Sequence, residues 1–250
     1  MDPETDTPSV PPFKDALTYP VRGSGRYILA IGAVIVALLS FSPLLALLSG
    51  IALLCFTAYL TAYYFNIVEV TILGRDDAPD WPDITDPLDE IILPFLRALG
   101  VYVFTFLPNM AVALVFHGER SLWINPLFLI TLAAGAVYFP VAMLNVIVSN
   151  NILKAGPRRV LPRIIGALPF SLMMGGIYLG TVIIPLLLKI MMGEMPFWGS
   201  LLGAASSIYL MMALSRLAGL FHLNHPDADL DADLESELEE DEKEAEWKQP

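Results

Sequence analysis

The sequence predicts an all-α, polytopic membrane protein with six transmembrane helices and both termini in the cytoplasm. The first observation behind this prediction is the composition. Hydrophobic residues make up 56 % of the 250 residues and charged residues only 16 %, whereas a soluble domain carries roughly 25 % charge. The second observation is the placement of the charges, because five stretches of 21 to 42 residues contain none. A helix needs about 20 apolar residues to cross the hydrocarbon, so every stretch is long enough.

The uncharged stretches predict the helices in chain order. The stretch 27–68 is twice the length of one span, so it predicts a helical hairpin with its turn at Ser49 and Gly50. The stretch 121–153 holds one helix and an interfacial lead-in. Asp86 and Pro87 are a typical cap and first residue for the third helix. We therefore predict helices at 27–47, 50–73, 88–114, 126–149, 164–188 and 197–221.

The distribution of Lys and Arg predicts the orientation. Twelve of the 14 lie on the side that holds both termini, and only Arg120 and Lys189 lie on the other. Because positively charged flanks stay in the cytoplasm, we expect residues 1–26 to be a cytoplasmic N-terminal segment, followed by the six-helix domain 27–221. The Pro-rich, acidic start lacks the features of a cleaved signal peptide, so the first helix is expected to be an anchor.

Several short segments follow patterns that recur in one protein family. They are residues 13–20 with Tyr19 and Pro20 before the first helix, 78–83 after the second, Leu99 with Gly100, and 138–140 with Asn145. Over most of residues 13–220 the chain resembles the prokaryotic multi-pass membrane proteins that share domain of unknown function 4013. Ala78 and the inserted Pro82 depart from the Leu-Pro-x-Trp-x-Asp pattern of that family. The resemblance implies a multi-pass fold in a prokaryotic inner membrane, and it supplies no activity and no catalytic residue.

The acidic loop, residues 74–87, is the most unusual segment. Carboxylates recur every third residue from Asp80 to Asp89, which places them on one face of a polyproline-like path. The loop predicts a docking surface for a basic protein, with Asp80, Trp81 and Asp83 as candidate residues. A weak divalent-cation site is an alternative, although the Gly and closing Glu of a calcium loop are absent. The third interpretation is a solvated loop anchored by Trp81.

Three polar residues near the predicted cytoplasmic helix ends form a second candidate group. Glu69 and Arg97 could pair across the second and third helices, or line a solute path with Asn66. Alternatively, both charged side chains extend to the lipid head groups. Prolines interrupt several predicted helices, and broken helices are used by transporters to bind substrates. A small-solute transporter or channel is therefore the alternative function.

The basic loop, residues 150–163, is a candidate contact with anionic lipid. Its cations Arg158, Arg159 and Arg163 would each contribute about 1 kcal/mol near an anionic leaflet. The other explanation is that these cations only fix the orientation of the neighbouring helices in the membrane. The tail 222–250 is expected to be disordered and cytoplasmic. Its acids, with leucines spaced by four, are typical either of a segment that folds on a basic partner or of a solubilising tail.

No motif for catalysis, a cofactor or a metal is present, and the single Cys55 excludes an internal disulfide. Two histidines, His222 and His225, have ligand-like spacing, but next to the predicted tail they do not predict a metal site. Scattered cations disfavour nucleic-acid binding. The sequence therefore predicts a membrane protein with a structural or partner-binding role, and without enzymatic activity.

Overall fold

The computed structural model describes residues 12–40, 46–116, 125–193 and 195–226, and these ranges contain helices and turns but no strand. Within these ranges eight α-helices follow one another: α1 (Pro12–Thr18), α2 (Gly25–Ser40), α3 (Ala46–Ile72), α4 (Leu93–Val115), α5 (Pro126–Ser149), α6 (Pro157–Gly166), α7 (Leu168–Met191) and α8 (Pro196–Asn224). Turns of 3₁₀ helix lie at Tyr19–Val21 and Ile152–Ala155, and one π-helical turn, Leu88–Ile92, leads into α4. The predicted disordered tail begins too early, because residues 222–224 form the end of α8 with His222 buried. The part of the tail beyond Pro226 lies outside the described residues.

Five of these helices are long and apolar enough to cross a membrane. Their spans are Gly50–Ile72, Leu88–Val115, Pro126–Ser149, Leu168–Met191 and Pro196–Asn224. The helical pair that ends with α2 is bent by 63°, and it supplies a sixth span if the pair is counted as one. The predicted fold class, an all-helical protein with multiple spans, is therefore confirmed. The orientation of the termini stays a prediction.

The predicted first hairpin is wrong in one detail. Ser49 and Gly50 lie inside α3, so the turn does not fall there. In hydrocarbon every backbone polar group must be satisfied internally, so a helix continues through Ser and Gly where a soluble chain would turn. The structure also adds α1, a short helix before the first predicted span.

The basic loop is also more ordered than predicted. Residues Pro157–Gly166 form α6, with Val160 and Ile164 buried, so the segment is an amphipathic helix. The predicted helix from 164 to 188 is therefore two helices, because Ala167 takes a non-helical conformation (φ −129°, ψ 45°) between α6 and α7. Counting uncharged residues could not detect this break, since Ala167 lies inside the uncharged stretch 164–188.

Burial is concentrated at one end of the bundle. Every residue is buried from 140 to 148 in α5 and from 212 to 219 in α8, and most are buried from 62 to 71 in α3. A helix with consecutive buried residues is surrounded on all sides. The surrounding groups come from α1, the acidic loop and α6, through side chains such as Ala16, Ala78 and Ile164. We call this region the capped end.

The opposite halves of the helices expose large apolar side chains. Leu114, Val115, Ile190 and Met191 are each more than 60 % exposed. Such a surface is unfavourable in water and is expected where a helix faces lipid tails. The molecule therefore combines a lipid-facing half with a capped end that is packed like the core of a soluble protein.

Helices α5 and α7 approach closely at one glycine. A Cβ placed on Gly175 would lie 2.8 Å from Val137 Cγ2 and 3.0 Å from Val137 Cα, whereas Gly176 has nothing within 4 Å. Small residues at such crossings let membrane helices pack backbone to backbone.

We predict that Gly175→Ala lowers the free energy of unfolding by about 1–3 kcal/mol, because the new methyl group must displace the α5 backbone. The matched variant Gly176→Ala is expected to be neutral or to stabilise by up to about 1 kcal/mol through helix propensity. Unfolding of both variants by SDS titration in mixed micelles tests this. Equal effects at the two positions would contradict the close approach.

Candidate functional site

The first feature of the capped end is a buried cation on α8. The side chain of Arg216 is 4 % exposed. Its Nε donates to Asp15 Oδ2 at 2.9 Å, and its Nη2 donates to Asp76 Oδ1 at 2.5 Å. Its Nη1 donates to the carbonyl oxygen of Arg75 at 2.7 Å, and the guanidinium lies 5.2 Å from the centre of the Tyr19 ring. Two carboxylates therefore neutralise the positive charge of Arg216, and together with one carbonyl oxygen they accept its hydrogen bonds.

This arrangement attaches two segments to α8. Asp15 belongs to α1, and Asp76 lies near the start of the acidic loop, four residues after the end of α3. Asp15 also accepts a hydrogen bond from Arg22 Nη1 at 2.6 Å, which holds the end of α1 in place. Sequence analysis counted Arg216 only as a flanking charge, although its position inside a predicted helix was the signal that it needs buried partners.

The acidic loop packs back along α3. The ring of Trp81 lies 6.0 Å from the ring of Tyr59, which is 13 residues, or about 20 Å, before the end of the helix. Pro79 and Pro82 are buried, while Trp81 stays 47 % exposed. The loop is therefore a fixed part of the capped end, and two prolines hold the tryptophan between them.

The candidate carboxylates face outward from this loop. Asp80 and Asp83 are both exposed. The backbone N–H of Thr85 donates to Asp83 Oδ1 at 2.8 Å, and this hydrogen bond lowers the pKa of Asp83 below its usual value. The predicted three-residue repeat ends at Asp86, because the chain is helical from Pro87 onward. Among the described residues, no group of three or more His, Cys, Asp or Glu side chains is placed to hold a metal ion.

The second candidate group is spread over two helices. Glu69 is exposed on α3, Asn66 is half-buried one turn before it, and Arg97 is half-buried on α4. None of the three lines the cavity between the spans that is described below. The predicted solute path around these residues therefore has no support from that cavity.

A second arginine joins α6 to the rest of the capped end. Arg163 Nη1 donates to Asn145 Oδ1 at 2.5 Å, and Arg163 Nη2 lies 2.7 Å from His222 Nδ1. The same Nη2 donates to the carbonyl oxygen of His225 at 3.2 Å, and the guanidinium lies 5.2 Å from the centre of the Phe221 ring. Since arginine only donates, His222 accepts at Nδ1 and carries its proton on Nε2.

The predicted lipid contact changes accordingly. Arg163 directs its guanidinium towards α5 and α8, so it does not extend to the head groups as predicted. Arg158 is exposed and Arg159 is half-buried on the same helix, so these two remain candidates for lipid contact. His222 is 3 % exposed and accepts a hydrogen bond from Arg163, as does the carbonyl of His225. These contacts explain the spacing of the two histidines without a metal.

A cavity of about 290 Å³ lies between α3, α4, α5, α7 and α8. The residues that line it lack a carboxylate or a cation: Thr57, Thr61, Tyr64, Phe95, Ala98, Leu99, Tyr102, Phe139, Met143, Tyr178, Thr181, Ser207, Met211 and Leu214. Each of the five spans contributes a residue close to its own midpoint, such as Thr61 in Gly50–Ile72 or Tyr102 in Leu88–Val115. The cavity therefore lies at mid-depth of the predicted spans. Sequence analysis missed it, because no local motif marks it.

Comparisons with known proteins add no function to this geometry. The chain matches no protein-family model, no curated protein and no solved structure. The family suggested by the short sequence motifs therefore stays a prediction.

We predict that Arg216→Met lowers the free energy of unfolding by about 3 kcal/mol, because it leaves a largely buried Asp15 carboxylate without its main partner. The control Arg22→Met removes a side chain that is 45 % exposed, so it should cost at most about 1 kcal/mol. Combining each variant with Asp15→Asn in a double-mutant cycle measures the coupling. Equal, additive losses for both arginines would contradict the buried role of Arg216.

For α6 we predict a similar contrast between two arginines. Arg163→Met should cost about 2 kcal/mol, because the buried Asn145 and His222 each lose a hydrogen-bond donor. Arg158→Met, on the exposed face of the same helix, should change stability by less than about 0.5 kcal/mol. SDS titration of the two proteins compares them directly. The assigned contacts would be wrong if Arg158→Met were the more damaging change.

Proposed function

We propose that this protein is a non-enzymatic, partner-binding component of a prokaryotic inner membrane, with both termini in the cytoplasm. The acidic loop of the capped end would bind a basic segment of a partner protein. The observation that supports this proposal is the attachment of the loop to the buried Arg216 through Asp76 and the Arg75 carbonyl. A surface that is already ordered binds with a smaller loss of conformational entropy than a free loop.

The charges of the loop suit a basic partner. Five acids lie in the loop, from Asp76 to Asp86, and Asp89 and Glu90 follow in the next helical turn. Asp76 is the acid that pairs with Arg216. The side chains of Asp80 and Asp83 point outward beside the half-exposed Trp81. An aromatic anchor next to carboxylates is a typical arrangement for binding Lys or Arg, through ion pairs and cation–π contact.

The orientation is supported by the charges that surround the capped end. It contains the three arginines of α6, including Arg163, and the buried Arg216 of α8. Cationic segments are retained on the cytoplasmic side during insertion. The loop would then face cytoplasmic proteins, and the acidic tail, which is outside the described residues, would extend from the same side.

Transport of a polar solute has less support. A path for an ion or a charged solute needs polar or ionisable groups at mid-depth. The described cavity at that depth is lined by aromatic and aliphatic side chains with a few hydroxyl groups. We therefore favour partner binding over the transporter alternative.

Site-specific photo-crosslinking in native membranes tests the proposal. A photoreactive amino acid in place of Ile84, which is 74 % exposed beside Asp83, leaves Trp81 intact and should give a discrete adduct with a basic protein. The double change Asp80→Asn and Asp83→Asn should abolish this adduct, whereas Asp80→Glu with Asp83→Glu should retain it, because the charge is kept. Raising the ionic strength should weaken it as well. An adduct that is indifferent to charge and salt, or the absence of any adduct, would refute the proposal.

A further inference from the structure

We propose that one exposed face of α6 binds an anionic phospholipid, with the lipid phosphate at Arg158 and the acyl chains at Leu161 and Ile165. This inference does not depend on the acidic loop or on its partner. It depends on three properties of α6: its place between two spans, the order of the side chains along its exposed face, and its charge.

Helix α6 lies where the chain turns back towards the membrane. It occupies most of the connection between the spans Pro126–Ser149 and Leu168–Met191. Consecutive spans cross a bilayer in opposite directions, so this connection lies at one membrane surface. The buried side chains of Val160 and Ile164 hold α6 against the bundle, and its opposite face is therefore placed at the boundary between lipid and water.

The exposed face of α6 is a single stripe of side chains, which we call the outward stripe. Its members are Arg158, Leu161, Pro162 and Ile165, all of them exposed. Their spacing of three or four residues places them on one side of the helix. Leu161 is 48 % exposed and Ile165 is 73 % exposed. The outward stripe is thus apolar except at its first residue, which is a cation.

The order of these side chains matches the layers of a lipid leaflet. Ile165 lies close to the start of α7, where the chain enters the membrane, and Arg158 lies at the other end of α6. At 1.5 Å per residue the two are about 10 Å apart along the helix axis. The head-group layer of one leaflet is about 5–8 Å thick. The stripe is therefore long enough to reach from the acyl chains to the phosphates.

Exposed apolar side chains continue on both sides of α6. Leu153, in the preceding 3₁₀ turn, is 82 % exposed, and Leu168 and Leu172, at the start of α7, are 47 % and 53 % exposed. A contiguous apolar surface of this kind is unfavourable in water. At a membrane interface the acyl chains cover it, as they cover the apolar face of an interfacial helix.

The charge of this segment favours an anionic lipid. Residues 150–168 contain four Lys or Arg and no Asp or Glu, although the chain as a whole has a net charge of −12. Arg163 is directed towards α5 and α8, whereas Arg158 is exposed on the outward stripe. Cations at the membrane surface attract anionic head groups, and a guanidinium can donate two parallel hydrogen bonds to one phosphate.

Native mass spectrometry of the full chain in neutral detergent tests the selectivity. The probes are phosphatidylglycerol and phosphatidylcholine with the same acyl chains, and the first binding step of each lipid is measured. We expect the wild type to bind phosphatidylglycerol more tightly. Arg158→Gln should weaken phosphatidylglycerol binding about fivefold and leave phosphatidylcholine unchanged. The control Lys14→Gln removes an exposed cation of α1 and should change neither lipid.

A second variant tests the apolar part of the outward stripe. Leu161→Ser combined with Ile165→Ser should weaken both lipids by a similar factor of about ten, because both lose the same acyl-chain contacts. The preference for phosphatidylglycerol should remain, since Arg158 is kept. Equal affinities of the two lipids for the wild type, or equal losses for Arg158→Gln and Lys14→Gln, would overturn the proposal.

Photo-crosslinking in native membranes identifies what covers the outward stripe. A photoreactive amino acid in place of Leu161 should form an adduct with a phospholipid, detected as added mass on the peptide that contains it. An adduct with residues 227–250 of the acidic tail, or with another protein, would assign the stripe to an acidic protein segment and overturn the proposal. This readout stays decisive even if the serine variant fails to fold.

Discussion

The guanidinium of Arg216 is the constraint on which the capped end depends. A cation that is 4 % exposed at the end of an apolar helix is strongly unfavourable unless carboxylates and carbonyls surround it. Those groups come from α1 and from the start of the acidic loop, and no neighbour on α8 could replace them. The need to neutralise one charge therefore determines where two other segments lie. Arg163 imposes the same kind of requirement on α6, through Asn145 and His222.

The two halves of the molecule are packed differently because one is surrounded by lipid and the other is covered by protein. Where lipid surrounds the helices, exposed leucine and isoleucine side chains are stable and close packing depends on small residues such as Gly175. At the capped end, consecutive buried residues in α5 and α8 are covered by protein on every side. Polar contacts concentrate there, so a rigid surface forms beside a more loosely packed bundle that contains a cavity.

The spans were predictable because bilayer thickness imposes a length that any uncharged stretch must meet. The three-residue spacing of Asp80 and Asp83 predicted that their carboxylates share one face of an extended loop, and both residues are exposed. Helix α6 was not predictable, because Arg158 and Arg163 are equivalent as charges in the sequence. Only tertiary packing directs one outward and the other inward. The cavity was not predictable either, since Tyr64, Phe139 and Ser207 come together from three separate helices and no local pattern connects them.

The contact between Asp15 and Arg216 joins residues 201 positions apart. During synthesis the acidic loop and α1 leave the ribosome long before α8, so for most of translation Asp76 lacks Arg216, and Asp15 can pair only with Arg22. The ordered loop surface can form only once α8 has been inserted. Insertion of α8 thus acts as a checkpoint, and a molecule in which α8 is not yet inserted would present its carboxylates on segments that are not yet fixed in place.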